Sequence, residues 1–247
     1  MNMKMKKKNN VLEFPARSNQ LEEKIKNLAI DVEALEAIEL ESCKMTARSI
    51  LETLNQKDAY TFEHSTRVAY YATLIAKEQG LSDQEVIELE FAALFHDVGK
   101  IGIADSILKK PGRLTAEEYE EMKKHPIHSA KILEHFKPFA KLVPAVRHHH
   151  ERYDGRGYPH GLKGEDIPLF SRMILVADTF DAMTSTRPYR KGLPYSTAYA
   201  ELMELSGTQF DPDIVKAFIR AMRKESKSQN ETFYLQVLEQ DYIKEAA

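Results

Sequence analysis

The stretch ALFHDVGKIGI, residues 93–103, places His96 beside Asp97 at the end of an apolar run, with Lys100 just beyond. Buried and unpaired, such groups cost several kcal/mol each, so they face water or an ion offsets the cost. Other histidines cluster in short motifs: His64 in EHSTR, His125 in KHP, and His148 to His150 in RHHHE. Asp178 interrupts RMILVADTFDAM, an otherwise apolar segment at 172–183. Neutral imidazole is the commonest protein ligand of metals, and carboxylates add anionic character. A single motif of this kind means little, because a lone helical histidine is most often a satisfied core residue. Together, His64, His96, Asp97, His125, His149, His150 and Asp178 suffice for two octahedral-leaning sites that share one carboxylate. No cysteine is among them, which favours Fe, Mn, Co or Ni over a structural zinc.

Helices must position these residues. On a continuous helix His96 and Lys100 share a face and Asp97 is turned about 100° away, so His96 and Asp97 reach different ions in a groove. That helix begins near Ser82, where Glu85 completes a capping box. Further helices are expected at 45–54, at 61–79 before Gly80, and after Thr115, with Glu118 completing a second box. Others are expected at 127–136, 139–150 and 170–184, and a last one starts at Asp211, Pro212 and Asp213. Residues 155–164 hold four of the ten glycines and Pro159, so they form a loop. Strand signals are weak throughout, and the expectation is an all-α protein.

Composition narrows the function classes. With 43% hydrophobic and 30% charged residues among 247, the chain is an ordinary globular protein. A net charge of -3 argues against a nucleic-acid polymer as ligand. The one cysteine, Cys43, suits a reducing compartment, and no run approaches the roughly 18 apolar residues of a membrane span. A cytoplasmic protein with no membrane association is expected. The basic start MNMKMKKKNN lacks an apolar stretch behind it, so 1–17 is expected to be a disordered tail. From Ser18, the residues Leu21, Ile25, Leu28, Val32 and Leu35 form a heptad-like stripe. It packs in cis or pairs with a second copy, which would make a homodimer through residues 18–40.

The motifs resemble one family closely. HSTRVA at 64–69, HDVGKIGI at 96–103, HHERYDGRGYPHGLKGEDIP at 149–168 and ILVADTFDAMTSTRPYR at 174–190 are similar to the HD-GYP branch of HD-domain phosphohydrolases, which cleave cyclic dinucleotides. The likeness runs from about Thr46 to Ala221 and includes the literal Gly157-Tyr158-Pro159. It implies an HD-domain helical bundle at 46–223, flanked by an N-terminal helical extension at 18–45, expected from the stripe, and a C-terminal extension at 224–247.

Residue by residue, the resemblance implies that His64, His96, Asp97 and Asp178 hold one divalent ion. Asp97, His125, His149 and His150 hold a second, with Asp97 bridging. Lys100 resembles the cation that holds the scissile phosphate, Arg187 and Arg190 resemble phosphate contacts, and Tyr158 and Asp181 resemble pocket-lining positions. Asp97 and Lys100 are thus the catalytic pair. Two ions roughly 3.5–4 Å apart hold a shared hydroxide in line with a phosphorus atom. The implied reaction is hydrolysis of cyclic di-GMP to the linear dinucleotide and onward to GMP. Alternatives are another substrate such as cyclic GMP-AMP, or a weakly active module that binds cyclic di-GMP or docks on a cyclase. A separate sensor or cyclase would serve as partner. His128, His135, His148 and His160 match no family ligand and read as surface or loop residues. Ser129 stands where the family often has glycine. Some members carry a glutamate one turn before the first histidine, where it helps bind a third ion; here that position is Tyr60.

Overall fold

Ten α-helices and three short 3-10 turns make up a computed structural model that describes residues 45–186 and 191–228. The described chain from Arg48 onward belongs to one compact unit. Among the described residues the only extended pairing is an isolated bridge between Ser206 and Phe210, as an all-α protein requires. The 18–40 stripe and the 1–17 tail lie outside the described residues.

Helix α1 covers 45–57 and buries Leu51 and Leu54. Helix α2 (Ala59–Glu78) packs against α3 (Asp83–Phe95), α8 (Leu169–Thr184) and α10 (Pro212–Ser228). Its buried side chains Val68, Ala69, Ala72, Ile75 and Ala76 follow the helical repeat that such a surrounded helix needs. Both capping boxes form. Ser82 and Glu85 start α3, and Thr115 and Glu118 start α5 (Ala116–Met122). Asp211 caps α10, its Oδ1 accepting from Asp213 N at 2.8 Å.

Helix α8 buries Met173, Ile174, Leu175, Val176 and Phe180, about 1.5–3 kcal/mol each as an upper bound.

Three expectations need correction. The helix foreseen at 139–150 is a 3-10 turn (Lys137–Leu142), then the short α7 (Val143–Arg147), then a turn at 148–150. Pro144 has no N–H to offer Ala140, so the helix restarts there. The helix through the HD pair stops at Phe95; a 3-10 turn (Val98–Gly102) follows, then α4 (Asp105–Leu108). Helix α9 (Tyr195–Glu204), which packs on α8 and α10, was not foreseen, because its aromatic and β-branched start hides the pattern.

Candidate metal centre

Five segments bring the chemistry together. Helix α2 carries His64, and the end of α3 carries His96 and Asp97. Helix α6 (His125–Glu134) opens with His125, the turn after α7 carries His149 and His150, and α8 carries Asp178 and Asp181. The break after Phe95 corrects the shared helix face expected for His96 and Lys100. Asp97 sits at φ -102 and ψ 1, and the 3-10 turn folds the Lys100 ammonium back onto the Asp97 carboxylate.

The imidazoles are oriented by one repeated device. Nδ1 of His96 lies 2.6 Å from Ala93 O, that of His125 2.8 Å from Met122 O, and that of His149 2.7 Å from Val146 O. Each partner is the carbonyl three residues earlier. A carbonyl only accepts, so the ring proton is on Nδ1 and the lone pair on Nε2 points inward. His64 differs, because its Nδ1 faces Asp181 Oδ2 at 2.6 Å.

The inward atoms fall into three overlapping groups of three: His64 with His96 and Asp178, His125 with His149 and His150, and, between these two, His96 with Asp97 and His149. Within each group the donor atoms lie within 4.8 Å of one another. Asp97 stands between the first two. Its Oδ2 is 3.4 Å from His96 Nε2 and 3.8 Å from His64 Nε2, while Oδ1 is 3.1 Å from His125 Nε2.

The donor set fits metal ions. His96 Nε2 and Asp97 Oδ1 are buried and make no hydrogen bond. Nε2 of His125 and of His149 face each other at 3.3 Å, although both rings carry their proton on Nδ1. Two lone pairs in that position repel unless a cation lies between them, which satisfies buried polar atoms that are otherwise costly.

Charge is arranged accordingly. Burial opposes a proton on His64, but Asp178 and Asp181 outweigh it and raise its pKa to about 9. Burial depresses His96, takes His149 well below its ordinary value and brings His150 to about 3, with neighbouring imidazoles adding to the latter two. Burial also works against ionised Asp97, yet Lys100 and His96 hold it well below the usual carboxylate range. For Asp178, His64 overcomes burial in the same way.

A family model described as an HD domain matches residues 48–214. The chain belongs to the HD-domain family. HD domains are metal-dependent, in keeping with the three His/Asp groups found here. A cyclic di-GMP phosphodiesterase of Thermotoga maritima is 45% identical over 177 residues, covering 69% of this chain and 48% of its own. A 3'3'-cGAMP-specific phosphodiesterase of Vibrio cholerae is 41% identical over 169 residues, covering 68% of this chain and 37% of its own. This HD-domain chain thus spans about half the length, or less, of these curated relatives. A solved V. cholerae phosphodiesterase specific for cyclic GMP-AMP shares the fold at TM-score 0.60 and 22% identity, over 79% of this chain and 53% of that one.

Around the HD centre, the Gly-rich segment behaves as the expected loop. Glu151 is 1% exposed, and its Oε1 accepts from His160 N at 2.7 Å and Gly161 N at 3.1 Å. Gly157 lies so close to the backbone of His150 and Arg152 that any Cβ there would collide with it. The loop thereby sets Tyr158 against His150, ring centroids 4.8 Å apart, and Lys123 Nζ lies 5.8 Å over the Tyr158 ring. Burial holds the Tyr158 phenol above its ordinary pKa.

Asp181, expected to line the pocket, sits behind His64. It is 1% exposed, and besides His64 it accepts from Arg67 Nε at 2.6 Å and Ser185 Oγ at 3.0 Å. It stands behind His64 as an orienting carboxylate. Arg187 and Arg190 lie outside the described residues. Of the remaining histidines, His148 and His160 pair with each other at 3.0 Å, apart from the two groups. Sequence reasoning overlooked Arg67 and Glu151; both stand inside quoted motifs, which was the available signal.

Proposed function

We propose that this chain is a metal-dependent phosphodiesterase that opens a 3′,5′ phosphodiester of cyclic di-GMP, giving the linear dinucleotide and, after a second cut, GMP. The observation that carries this reading is Asp97, whose two oxygens face two separate groups of donors. His64, His96, Asp97 and Asp178 would hold one ion, and Asp97, His125, His149 and His150 the other. Nitrogen and oxygen donors without sulfur suit Fe or Mn, and also Ni or Co. When bound, the two ions lower the pKa of water and neutralise phosphate charge.

The chain's own groups supply the rest. Asp97 and Lys100 are the catalytic pair, and the Lys100 ammonium, 21% exposed, adds positive charge where a phosphate gains negative charge. Tyr158 offers a stacking face to a base. Asp181 keeps His64 aimed, while Arg187 and Arg190 grip substrate phosphate. Cyclic GMP-AMP is the second reading, favoured by the likeness to the cGAMP-specific relative.

We assign catalysis to 46–223 and dimerisation to the 18–40 stripe, with 224–247 as a C-terminal extension. The setting is the cytoplasm, with a separate sensor or cyclase as regulatory partner. Among the described residues no helix is long and apolar enough to cross a membrane. The deciding assay incubates purified protein, loaded anaerobically with Mn(II) or Fe(II), with cyclic di-GMP and 3′,3′-cyclic GMP-AMP. Chromatographic loss of cyclic di-GMP supports the reading. Faster loss of cyclic GMP-AMP selects the second, and a fully loaded protein that cleaves neither overturns both.

A further inference from the structure

Where the α3 helix breaks to release Asp97, one hydroxyl spans the gap to α6. Ser129 is fully buried, and its Oγ donates to His96 O at 2.8 Å while accepting from Gly99 N at 2.8 Å. His96 is the C-cap of α3, so its carbonyl has no further turn of α3 to bond, and Ser129 supplies the missing donor. Gly99 lets the two backbones meet. A Cβ there would collide with His125 O and Ser129 N and lie 2.7 Å from Ser129 Oγ. The clamp therefore joins the turn bearing His96, Asp97 and Lys100 to the helix whose first residue is His125.

We propose that Ser129 is a positioning residue for the metal centre, fixing Asp97 Oδ1 against His125 Nε2 so that the carboxylate reaches both donor groups. The inference rests on the two-group metal reading and adds a residue that touches no ion. A carbonyl and an amide on one side of the break share a single hydroxyl on the other. Losing it releases both at once, and the 3-10 turn is then free to shift relative to α6. Because a bridging carboxylate serves both groups, a shift of the turn weakens both.

The test is Mn(II) affinity, measured by competition against a chelator, in wild type, Ser129→Ala, Ser129→Cys and Thr73→Ala. Thr73 is a buried control whose Oγ1 donates to Tyr70 O at 2.8 Å, within α2. Loss of a partner outside the ligand shell weakens metal binding by 10–100-fold, so Ser129→Ala should weaken it about tenfold. Ser129→Cys, which keeps the volume and loses a strong hydrogen bond, should follow Ser129→Ala, while Thr73→Ala should match wild type. Wild-type affinity in both Ser129 variants overturns the proposal, whereas a wild type that binds no Mn(II) overturns the metal reading itself. Hydrogen exchange on the metal-free wild type needs no variant to fold: the Gly99 amide should be protected, and rapid exchange there refutes the clamp.

Discussion

Asp181 Oδ2 lies 2.6 Å from His64 Nδ1, and the Arg67 guanidinium holds the same carboxylate from behind. This contact joins residues 117 positions apart and gives the His64 Nδ1 atom a carboxylate partner from α8. Asp181→Ala should therefore lower metal affinity by about 10–100-fold. Metal titration alongside a KM measurement separates the alternatives. Undiminished metal affinity with a raised KM would return Asp181 to the pocket-lining role.

Two ions per chain, rather than three, are expected on elemental analysis of anaerobically purified protein. Asp58 Oδ2 is engaged by Thr61 Oγ1 at 2.6 Å, and the Glu63 side chain is 69% exposed beside Arg67. Neither belongs to a donor group among the described residues. Asp97→Ala should abolish turnover and reduce the ion count. Substantial activity in a metal-loaded Asp97→Ala protein would falsify the shared-carboxylate mechanism.

Acid should destabilise the metal-free protein. His96, His149 and His150 have folded pKa values below the ordinary 6.5, that of His150 about 3. Below pH 6.5 the unfolded chain takes up protons that these buried rings refuse, so stability falls as pH drops toward 3. His64, raised to about 9, acts oppositely: its contribution is complete below 6.5 and is lost as pH rises through 9. Below pH 6.5 His64 is protonated in both states, so it does not offset the loss. Calorimetry in EDTA should show the melting temperature falling between pH 6.5 and 4, and a flat profile would contradict the burial described.

Glu151→Ala should loosen the Gly-rich loop without touching the ions. Its carboxylate holds the amides of His160 and Gly161, in the loop that sets Tyr158 against His150. The expected outcome is a raised KM for the cyclic dinucleotide, with elemental metal content as in wild type. Loss of metal instead would mean that Glu151 supports His149 and His150 directly.

Much of the site was legible because ionisable residues inside apolar helices require partners. That logic picked out His96, Asp97 and Asp178, and the capping signals at Ser82 and Thr115 located the helix starts. The break after Phe95 was masked, since Val98, Ile101 and Ile103 continue the apolar pattern, although Gly99 and Gly102 weaken a helix there. What stops it is tertiary: the backbone of α6 lies against Gly99, and Ser129 caps His96 from another helix. The role of Asp181 was hidden for a similar reason, because its partner His64 lies on a helix far away in sequence. Pro144 did carry the signal for the restart at α7, and the apolar pattern around it masked that signal.

The anchoring of the rings also decides where this centre is vulnerable to mutation. Carbonyls of Ala93, Met122 and Val146 aim His96, His125 and His149, and every amino acid has a carbonyl. Replacing the side chains at those three positions leaves the aim intact as long as the local turn persists. At His64 the Nδ1 partner is a side chain, the Asp181 carboxylate, which a single codon change removes. Inherited loss of function through misaimed ligands should therefore concentrate at Asp181 and Arg67, while the three backbone-held histidines tolerate drift around them.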